Sequence, residues 1–300
     1  MEKIKLIFIN KIIEKQLSNH SVINLKDLEK KLRDSGRNYI KYTIKNGKVF
    51  VEQLKPYKKR RINSVLFFLR RVVQKYRNIN TTIFCDLNDW SNNEMNKDPI
   101  FVFSANKDTN NFVIPDYLFL NDYSKNSGRN SDNDSHDNMV LKYRDKIKFE
   151  DKESKCFFRA GTSKNRVIIN MFNNSKEVDA CFSKKKWMEY EDMFKHRYVI
   201  SHYMKWDSVY YFLKSDILTF MYSGFNTYLW YDLFLKDKLH YCSFKTIDDF
   251  DKHFEYFENN VDKAKEMIEK SSKIVDDFFN MDTAIDYMGI LLLKYQKLVI

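Results

Sequence analysis

The sequence has few residues that break regular secondary structure and few that can cross-link the chain. It contains six glycines, three prolines and four cysteines in 300 residues. So little Gly and Pro excludes a fibrous or linker-rich chain. The cysteines, which are Cys85, Cys156, Cys181 and Cys242, lie far apart without a C-x-x-C pair, so they lack the spacing of a zinc module. Three of them sit in or beside apolar runs, which predicts reduced, buried thiols and a cytoplasmic location.

Long apolar runs are also missing. No stretch approaches the roughly 20 apolar residues that a membrane-spanning helix needs. The first apolar run, over residues 4–9, is short and is followed by Lys11, Glu14 and Lys15 without a small-residue cleavage site. The sequence therefore predicts neither a transmembrane segment nor a secretory signal peptide.

Apolar and basic residues are abundant. Apolar residues make up 43% of the chain, aromatic residues make up 16%, and the formal net charge is +11. This composition can fill the core of one large domain or two moderate ones. The positive charge favours an anionic partner, which could be a nucleotide diphosphate, a nucleic acid or a membrane headgroup, and does not choose among them.

The first third of the chain reads as alternating helices and strands. Residues 22–36 predict a helix, and residues 39–52 predict two strands. Asn46 and Gly47 lie in the middle of those strands and form the strongest short signal for a hairpin. Asn63 is the predicted cap of the next helix, whose apolar residues follow a helical period, and the segment just before it reads as a basic loop.

A short β-prone run over residues 82–87 leads to Asp89. An apolar run bounded by turn residues is typical of a buried strand. In open α/β sheets, ligands bind beyond the carboxyl ends of the strands, so Asp89 is a candidate catalytic base. The alternative is that Asp89 is an ordinary turn residue or helix cap.

The middle of the chain contains two more β-prone runs and a polar segment. Residues 99–104 predict a strand, and residues 114–119 predict a loop that carries exposed aromatic side chains. Residues 121–138 are rich in Asn, Ser and Asp, which predicts a domain boundary or a surface loop. Asp132 and Asp134 form a D-x-D pair, but within such a run a solvated surface is the favoured interpretation.

The second half shows a strand, a small-residue loop and a helix start. Residues 155–163 read as a strand that runs into a polar loop, and Arg166 precedes the apolar start of a helix. This arrangement can bind a phosphate through free backbone N–H groups and the arginine. The alternative is an ordinary βα turn. Further strands at 198–201 and 217–220 alternate with a helix, which predicts a parallel sheet. Two amphipathic helices close the chain.

The order and spacing of five patches resemble glycosyltransferase family 90, the family of capsule-associated proteins and protein O-glucosyltransferases. The resemblance extends over roughly residues 38–298. The patches that carry it are residues 42–50, 82–90, 99–104 together with 115–119, 158–166 and 230–241.

The resemblance implies a GT-B-like α/β fold in which two Rossmann-type domains face a cleft and the C-terminal helices pack back across. The implied domains are an acceptor-side domain over residues 1–145, a donor domain over residues 146–275 and a returning helix over residues 276–300. The implied activity is inverting, metal-independent transfer of glucose or xylose from a UDP-sugar to a hydroxyl of a glycan or protein acceptor. No cofactor beyond the UDP-sugar is implied.

Site residues are carried over by position in the same way. Asp89 would be the general base, because a carboxylate beside the acceptor hydroxyl can take its proton as the oxygen attacks. The sugar and acceptor side would include Pro115, Tyr117 and Phe119. The donor side would include Arg159, Gly161, Thr162, Ser163, Arg166, Tyr203, Lys205, Trp206, Asp207 and Ser208. The chain departs from the family where an arginine is usual near Trp206, and Lys205 would supply only a point charge there.

Two other functions fit parts of the sequence. One is a catalytically inactive relative that binds a nucleotide-sugar or a glycan. The other is a basic nucleic-acid-binding protein, which the aromatic and lysine-rich run at 182–187 favours. No helix-turn-helix, zinc or RNP motif accompanies that run, and such runs are more often solvated faces. We therefore expect no nucleic-acid partner.

Overall fold

The computed structural model describes residues 2–18, 20–54, 58–88, 98–122, 136–160, 167–172, 175–182, 190–201 and 209–300. The chain forms two compact units. Unit 1 consists of Met1–Gly128, Thr227–Leu233 and Phe279–Ile300, and unit 2 consists of Arg129–Asn226 and Phe234–Phe278. The predicted roles of an acceptor side over residues 1–145 and a donor side over residues 146–275 stay predictions.

Helices and strands alternate along much of the described chain. In chain order they are α1 (Glu2–Leu17), α2 (Leu25–Asp34), β1 (Ile40–Lys45), β2 (Lys48–Gln53), α3 (Lys59–Lys75), β3 (Thr81–Asp86), β4 (Phe101–Val102), β5 (Ser104–Asn106), β6 (Phe112–Val113), α4 (Tyr117–Asp122), α5 (His136–Tyr143), β7 (Glu153–Ala160), α6 (Val167–Met171), β8 (Val178–Phe182), α7 (Tyr190–Met193), β9 (His196–Ser201), β10 (Leu218–Tyr222), β11 (Thr227–Leu229), β12 (Cys242–Phe244), α8 (Ile247–Asn259), α9 (Val261–Phe278) and α10 (Met281–Tyr295). Shorter helical turns are Phe149–Asp151, Val209–Leu213 and Trp230–Leu233.

Unit 1 contains a mixed five-stranded sheet with the strand order β2-β1-β3-β4-β6. Strand β1 is antiparallel to both β2 and β3, whereas β3, β4 and β6 run parallel. The β1–β2 hairpin turns at Asn46 and Gly47, whose φ angles of 49° and 72° confirm the predicted turn. Asn24 caps α2 as predicted, because its side chain accepts hydrogen bonds from the backbone N–H groups of Lys26 and Asp27.

Helices α3 and α10 supply much of the core of unit 1. The side chains of Val65, Leu69 and Val72 on α3 are fully buried. Helix α10 is in contact with both α1 and α3, and it is buried on more than one face. Gly289 allows a close approach here, since a Cβ at this position would lie 2.2 Å from the ring of Tyr76.

Unit 2 contains a fully parallel five-stranded sheet with the order β8-β7-β9-β10-β12. Numbered along unit 2, this order is 2-1-3-4-5, one of the two common orders of doubly wound α/β proteins. The sheet confirms the parallel arrangement that the β/α alternation predicts. The direction of winding reverses between β7 and β9.

Apolar side chains cover both faces of the unit 2 sheet. Successive residues of a strand point to opposite faces, so Phe158 and Phe157 belong to two separate clusters. Phe158 packs in a cluster with residues of α8 and α9, and Phe157 packs in a cluster with residues of α5 and α7. Burial on both faces is typical of parallel sheets.

Some local predictions are wrong. Helix α3 begins at Lys59, so Asn63 lies inside the helix, and residues 59–61 of the predicted basic loop form its first turn. Strand β3 ends at Asp86, one residue before the end of the predicted run over residues 82–87. The predicted loop at 114–119 becomes helix α4 from Tyr117, and Phe119 is fully buried rather than exposed. Helices α1 and α8 are not among the predicted helices, and α1 lacks a clean amphipathic period because apolar residues occur around much of its circumference.

The described cysteines follow the prediction. The thiols of Cys85, Cys156 and Cys242 are buried and form no disulfide, and the side chain of Cys181 lies outside the described residues. None of the helices in the described ranges is long and apolar enough to cross a membrane.

Candidate active site

In unit 1, the candidate site lies at the carboxyl edge of three parallel strands. Asp86, Val102 and Val113 lie side by side on β3, β4 and β6. The chain therefore leaves the sheet at the same edge after β3 and after β6. Because β4 separates the two strands, their ends are about 10 Å apart. Asn88 follows the end of β3, and Pro115 follows the end of β6.

Asp86 shapes the turn that leads away from β3. Its carboxylate is buried, and Oδ1 accepts hydrogen bonds from the backbone N–H of Asn88 at 3.0 Å and from the Asn88 side-chain amide at 2.7 Å. A carboxylate bonded to the N–H two residues ahead forms an Asx turn, which fixes the direction of the chain. Asp89 is the next residue along the chain and lies outside the described residues.

Asp116 organises the segment after β6. Its Oδ1 accepts hydrogen bonds from the backbone N–H groups of Leu118 at 2.8 Å and Phe119 at 3.0 Å, so it caps helix α4. The hydroxyl of Tyr231 donates to the other oxygen at 3.1 Å. The cap holds Tyr117 at the first position of the helix, half-buried at the edge of the sheet.

The three residues predicted for the sugar and acceptor side differ in their exposure. Tyr117 is half-buried, and Pro115 is buried. Phe119 is fully buried, with its ring centroid 5.3 Å from that of Trp230 and 6.4 Å from that of Tyr231. The assignment of these three residues to the sugar and acceptor side stays a prediction.

Arg61 on α3 connects the two segments. Its Nη1 donates a hydrogen bond to the carbonyl oxygen of Leu87 at 2.6 Å, and its guanidinium carbon lies 4.4 Å from the centre of the Tyr117 ring. The whole residue is only 6% exposed. Arginine suits this position because a planar guanidinium can stack on an aromatic ring and donate hydrogen bonds in its own plane. Arg61 therefore holds the end of β3 against the start of α4.

In unit 2, the candidate donor site follows the strands at which the winding reverses. Residues 161–166 follow β7 directly, and residues 202–208 follow β9 directly. Strands β7 and β9 are neighbours and run parallel, so both segments leave the sheet at its carboxyl edge. In doubly wound sheets, this crevice binds nucleotides.

Most of the predicted donor residues belong to those two segments. The structure describes the strands that precede them, and the residues themselves lie outside the described ranges. This applies to Gly161, Thr162, Ser163, Arg166, Tyr203, Lys205, Trp206, Asp207 and Ser208.

Arg159 lies within the described part of β7. Its Nη2 donates a hydrogen bond to a carboxylate oxygen of Asp179 on β8 at 2.7 Å, and its Nη1 donates to the Asp179 and Phe158 carbonyl oxygens. The guanidinium carbon lies 4.6 Å from the centre of the Phe157 ring. Arg159 is thus oriented by an acid on the neighbouring strand, two residues before Gly161, at which the predicted phosphate loop begins.

A partly buried acid, Asp232, lies elsewhere in unit 1, in the helical turn Trp230–Leu233. Burial raises the pKa of Asp232 to about 6, and the backbone N–H of Leu229 and the charge of Lys107 partly oppose this shift. The Leu229 N–H donates to Asp232 Oδ2 at 2.8 Å.

Sequence reasoning missed Arg61, Asp86, Asp116 and Asp179. Two signals in the sequence could have found the first two. Arg61 shares a helical face with Val65, Phe68 and Val72, which are apolar, so a cation there needs buried partners. Asp86 is a carboxylate inside an apolar run, between Cys85 and Leu87. No local signal marks the contact of Asp116 with Tyr231 or that of Asp179 with Arg159, because each partner lies on another element.

The residues that the structure describes offer no cluster of metal ligands. Among those residues, no group of three or more His, Cys, Asp or Glu side chains is placed to hold a metal ion. The D-x-D pair of Asp132 and Asp134 lies outside the described residues. The prediction that the protein works without a metal is therefore not tested.

The two sheets define an α/β protein whose architecture is compatible with an α/β glycosyltransferase fold. The family described as Glycosyl transferase family 90 matches this chain over residues 10–300. The chain therefore belongs to glycosyl transferase family 90, as the resemblance predicted. It is a glycosyltransferase, and the family implies a sugar donor and an acceptor as its substrates. No curated protein sequence matches the chain significantly.

Proposed function

We propose that this glycosyltransferase moves glucose or xylose from a UDP-sugar to a hydroxyl of a glycan or protein acceptor, with inversion and without a metal. In this proposal the fold is GT-B-like, unit 2 binds the donor and unit 1 carries the base. The observation that carries it is the strand order of unit 2, because both predicted donor segments directly follow strands β7 and β9, at which the winding reverses.

The donor side needs groups that stabilise the leaving diphosphate. As the bond between the anomeric carbon and the diphosphate oxygen breaks, negative charge develops on the diphosphate, and N–H groups and cations stabilise it. The proposal assigns this role to Thr162, Ser163 and Arg166, with Arg159 adding a cation at the base of the loop. The Asp179 carboxylate supports this arrangement because it fixes the orientation of the Arg159 guanidinium.

The acceptor side needs one base. In a single displacement, the acceptor hydroxyl loses its proton to a carboxylate while its oxygen forms the new bond to the anomeric carbon. The proposal assigns the carboxylate to Asp89 and the sugar-facing surface to Pro115, Tyr117 and Phe119. The contacts of Arg61 support it, because they hold the chain just before Asp89 close to Tyr117.

A donor screen tests the proposal. Purified protein is incubated with UDP-glucose, UDP-xylose, UDP-galactose and GDP-sugars in the presence of EDTA, and release of the nucleoside diphosphate is measured. Turnover of UDP-glucose or UDP-xylose is expected. Strict dependence on Mn²⁺ contradicts the metal-independent mechanism. UDP binding without turnover supports the alternative of an inactive relative, and steeply salt-dependent binding to DNA or RNA supports the nucleic-acid alternative.

The proposal also places the enzyme in the cytoplasm. The buried, unpaired thiols of Cys85, Cys156 and Cys242 support a reducing compartment. The acceptor would then be a glycan or glycoprotein that is available inside the cell.

A further inference from the structure

Unit 2 contains a cavity that none of the candidate site residues lines. It has a volume of about 500 Å³, within the usual range for small-molecule sites. It lies between the last turns of α8, the first turns of α9 and the residues just before β12. Because all strands of the sheet are parallel, this is the amino edge, opposite the edge from which the predicted donor segments leave.

The cavity separates apolar and charged groups. Buried apolar side chains from three different elements, which are Cys242, Phe257 and Met267, form part of its wall. Four basic residues also line it, which are Lys238, His253, Lys263 and Lys270. Glu266 is the acidic residue that lines it. An apolar wall with cations around it is complementary to a molecule that has an apolar body and an anionic head.

Two of the lysines already hold a carboxylate. Nζ of Lys270 lies 2.6 Å from Glu266 Oε1, and Nζ of Lys263 lies 3.0 Å from Glu266 Oε2. Both ammonium groups therefore converge on one anion. These side chains are about half exposed, at 44% for Lys270 and 46% for Glu266, so the pair contributes little to stability and an incoming anion can replace it.

The turn before β12 is held rigidly. Asp237 Oδ1 accepts hydrogen bonds from the backbone N–H groups of Lys238 at 2.9 Å and Ser243 at 2.7 Å. The hydroxyl of Ser271 on α9 donates to the carbonyl oxygen of His240. Lys238 has a φ of 58°, in the left-handed region that favours glycine, and its N–H donates to the Tyr241 carbonyl at 2.8 Å. A wall fixed in this way does not need to be ordered by the ligand.

We propose that this cavity binds a soluble amphipathic anion, with its apolar body against Phe257 and Met267 and its carboxylate or phosphate head between Lys263 and Lys270. The site is independent of the proposed sugar transfer, because its residues belong to the opposite edge of the unit 2 sheet. Binding can therefore be tested without any turnover.

Titration calorimetry on the full chain tests the proposal with decanoate and decyl phosphate, each below the concentration at which it forms micelles. Saturable binding at one site is expected for both. Hexanoate should bind more weakly than decanoate, since each methylene that enters the cavity strengthens binding by up to about fourfold. Decanol and inorganic phosphate should each bind at least about tenfold more weakly than decyl phosphate, because each lacks one half of the ligand.

Variants on α9 give effects of opposite sign. Lys270→Gln should weaken decanoate binding by about tenfold, and Glu266→Gln should strengthen it several-fold because the competing carboxylate is gone. The matched control is Lys273→Gln on the same helix, at a lysine that is 76% exposed and pairs with Asp277. Met267→Trp should fill the cavity and abolish binding, with circular dichroism checking that this variant folds.

Three outcomes overturn the proposal. The first is equal affinity for decanoate and decanol, and the second is an unchanged affinity in both Glu266→Gln and Lys270→Gln. The third is binding only to vesicles that contain anionic phosphatidylglycerol, with none to the monomeric amphiphiles. The substitutions at 266 and 270 lie on the exposed surface and do not touch the core, so these outcomes stay readable even if Met267→Trp fails to fold.

Discussion

The guanidinium of Arg61 and the main-chain carbonyl of Leu87 form a buried hydrogen bond of 2.6 Å. The same guanidinium lies over the ring of Tyr117. One side chain of α3 thus contacts both the chain that leaves β3 and the first residue of α4. Within unit 1, the position of the segment before Asp89 depends on this contact.

Replacing Arg61 should therefore change both stability and activity. Arg61→Met keeps the length of the side chain but removes a charged hydrogen bond to a buried carbonyl, so we expect the free energy of unfolding to fall by about 2–3 kcal/mol. Urea denaturation measures this loss. The kcat of sugar transfer should fall as well, because the segment that carries the proposed base, Asp89, is no longer held against Tyr117.

The control for this change is Arg70→Met, at an exposed arginine of the same helix. We expect it to shift the unfolding free energy by less than about 0.5 kcal/mol. Arg61→Lys should restore only part of the loss, because an ammonium cannot stack and donate as a planar fork does. Equal stability of the Arg61→Met and Arg70→Met proteins would show that the Leu87 contact is unimportant.

Asp89→Asn tests the proposed base directly. An amide cannot take the proton of the acceptor hydroxyl, so product formation should stop while UDP affinity stays within a few-fold. Transfer is measured by product formation, and UDP binding is measured by calorimetry on the same protein. Turnover that persists in the variant would remove Asp89 from this role, and lost UDP binding would point to a misfolded site.

The sequence predicts three of the five strands in the unit 2 sheet because their signals are local. Apolar runs bounded by turn residues mark β7, β9 and β10, and their alternation with helices predicts the parallel sheet that is observed. Asn46 and Gly47 likewise predict a hairpin because both turn positions need a positive φ. In each case, the residues that determine the structure lie within a few positions of it.

The predictions fail where distant contacts decide. Phe119 is buried by Trp230 and Tyr231, which come much later in the chain, so the local pattern at 114–119 could not show its burial. Helix α3 begins at Lys59, before the predicted cap Asn63. The side chain of Lys58, its N-cap residue, forms no capping hydrogen bond, so no local capping signal marks the start of the helix. Arg159 is paired with Asp179 only because β8 lies next to β7.

The pair of Arg159 and Asp179 allows the donor role of Arg159 to be separated from a structural role. If Arg159 binds the diphosphate, Arg159→Ala should weaken UDP binding by about 1.5–3 kcal/mol, as measured by calorimetry. Asp179→Asn should change UDP binding much less, because the cation remains. An unchanged UDP affinity in Arg159→Ala would remove Arg159 from the diphosphate site. Arg166→Ala, in the predicted phosphate loop, is expected to weaken UDP binding by a similar amount.

Asp232 should make stability depend on pH in a defined direction. Its pKa is about 6 in the folded protein, against 3.8 for an ordinary aspartate. Between these values the unfolded chain releases the proton and the folded protein keeps it, so the contribution of Asp232 to the unfolding free energy decreases as the pH rises from about 4 to 6. The full decrease is up to about 3 kcal/mol.

Asp232→Asn cannot titrate and can still accept the Leu229 N–H, so it isolates this effect. Urea denaturation at pH 4 and pH 7 should show the wild type losing stability relative to the variant at the higher pH. Asp282→Asn, at an exposed position in the first turn of α10, should show no comparable difference. A wild type that gains stability over Asp232→Asn as the pH rises would mean that the folded protein favours the charged form of this carboxyl.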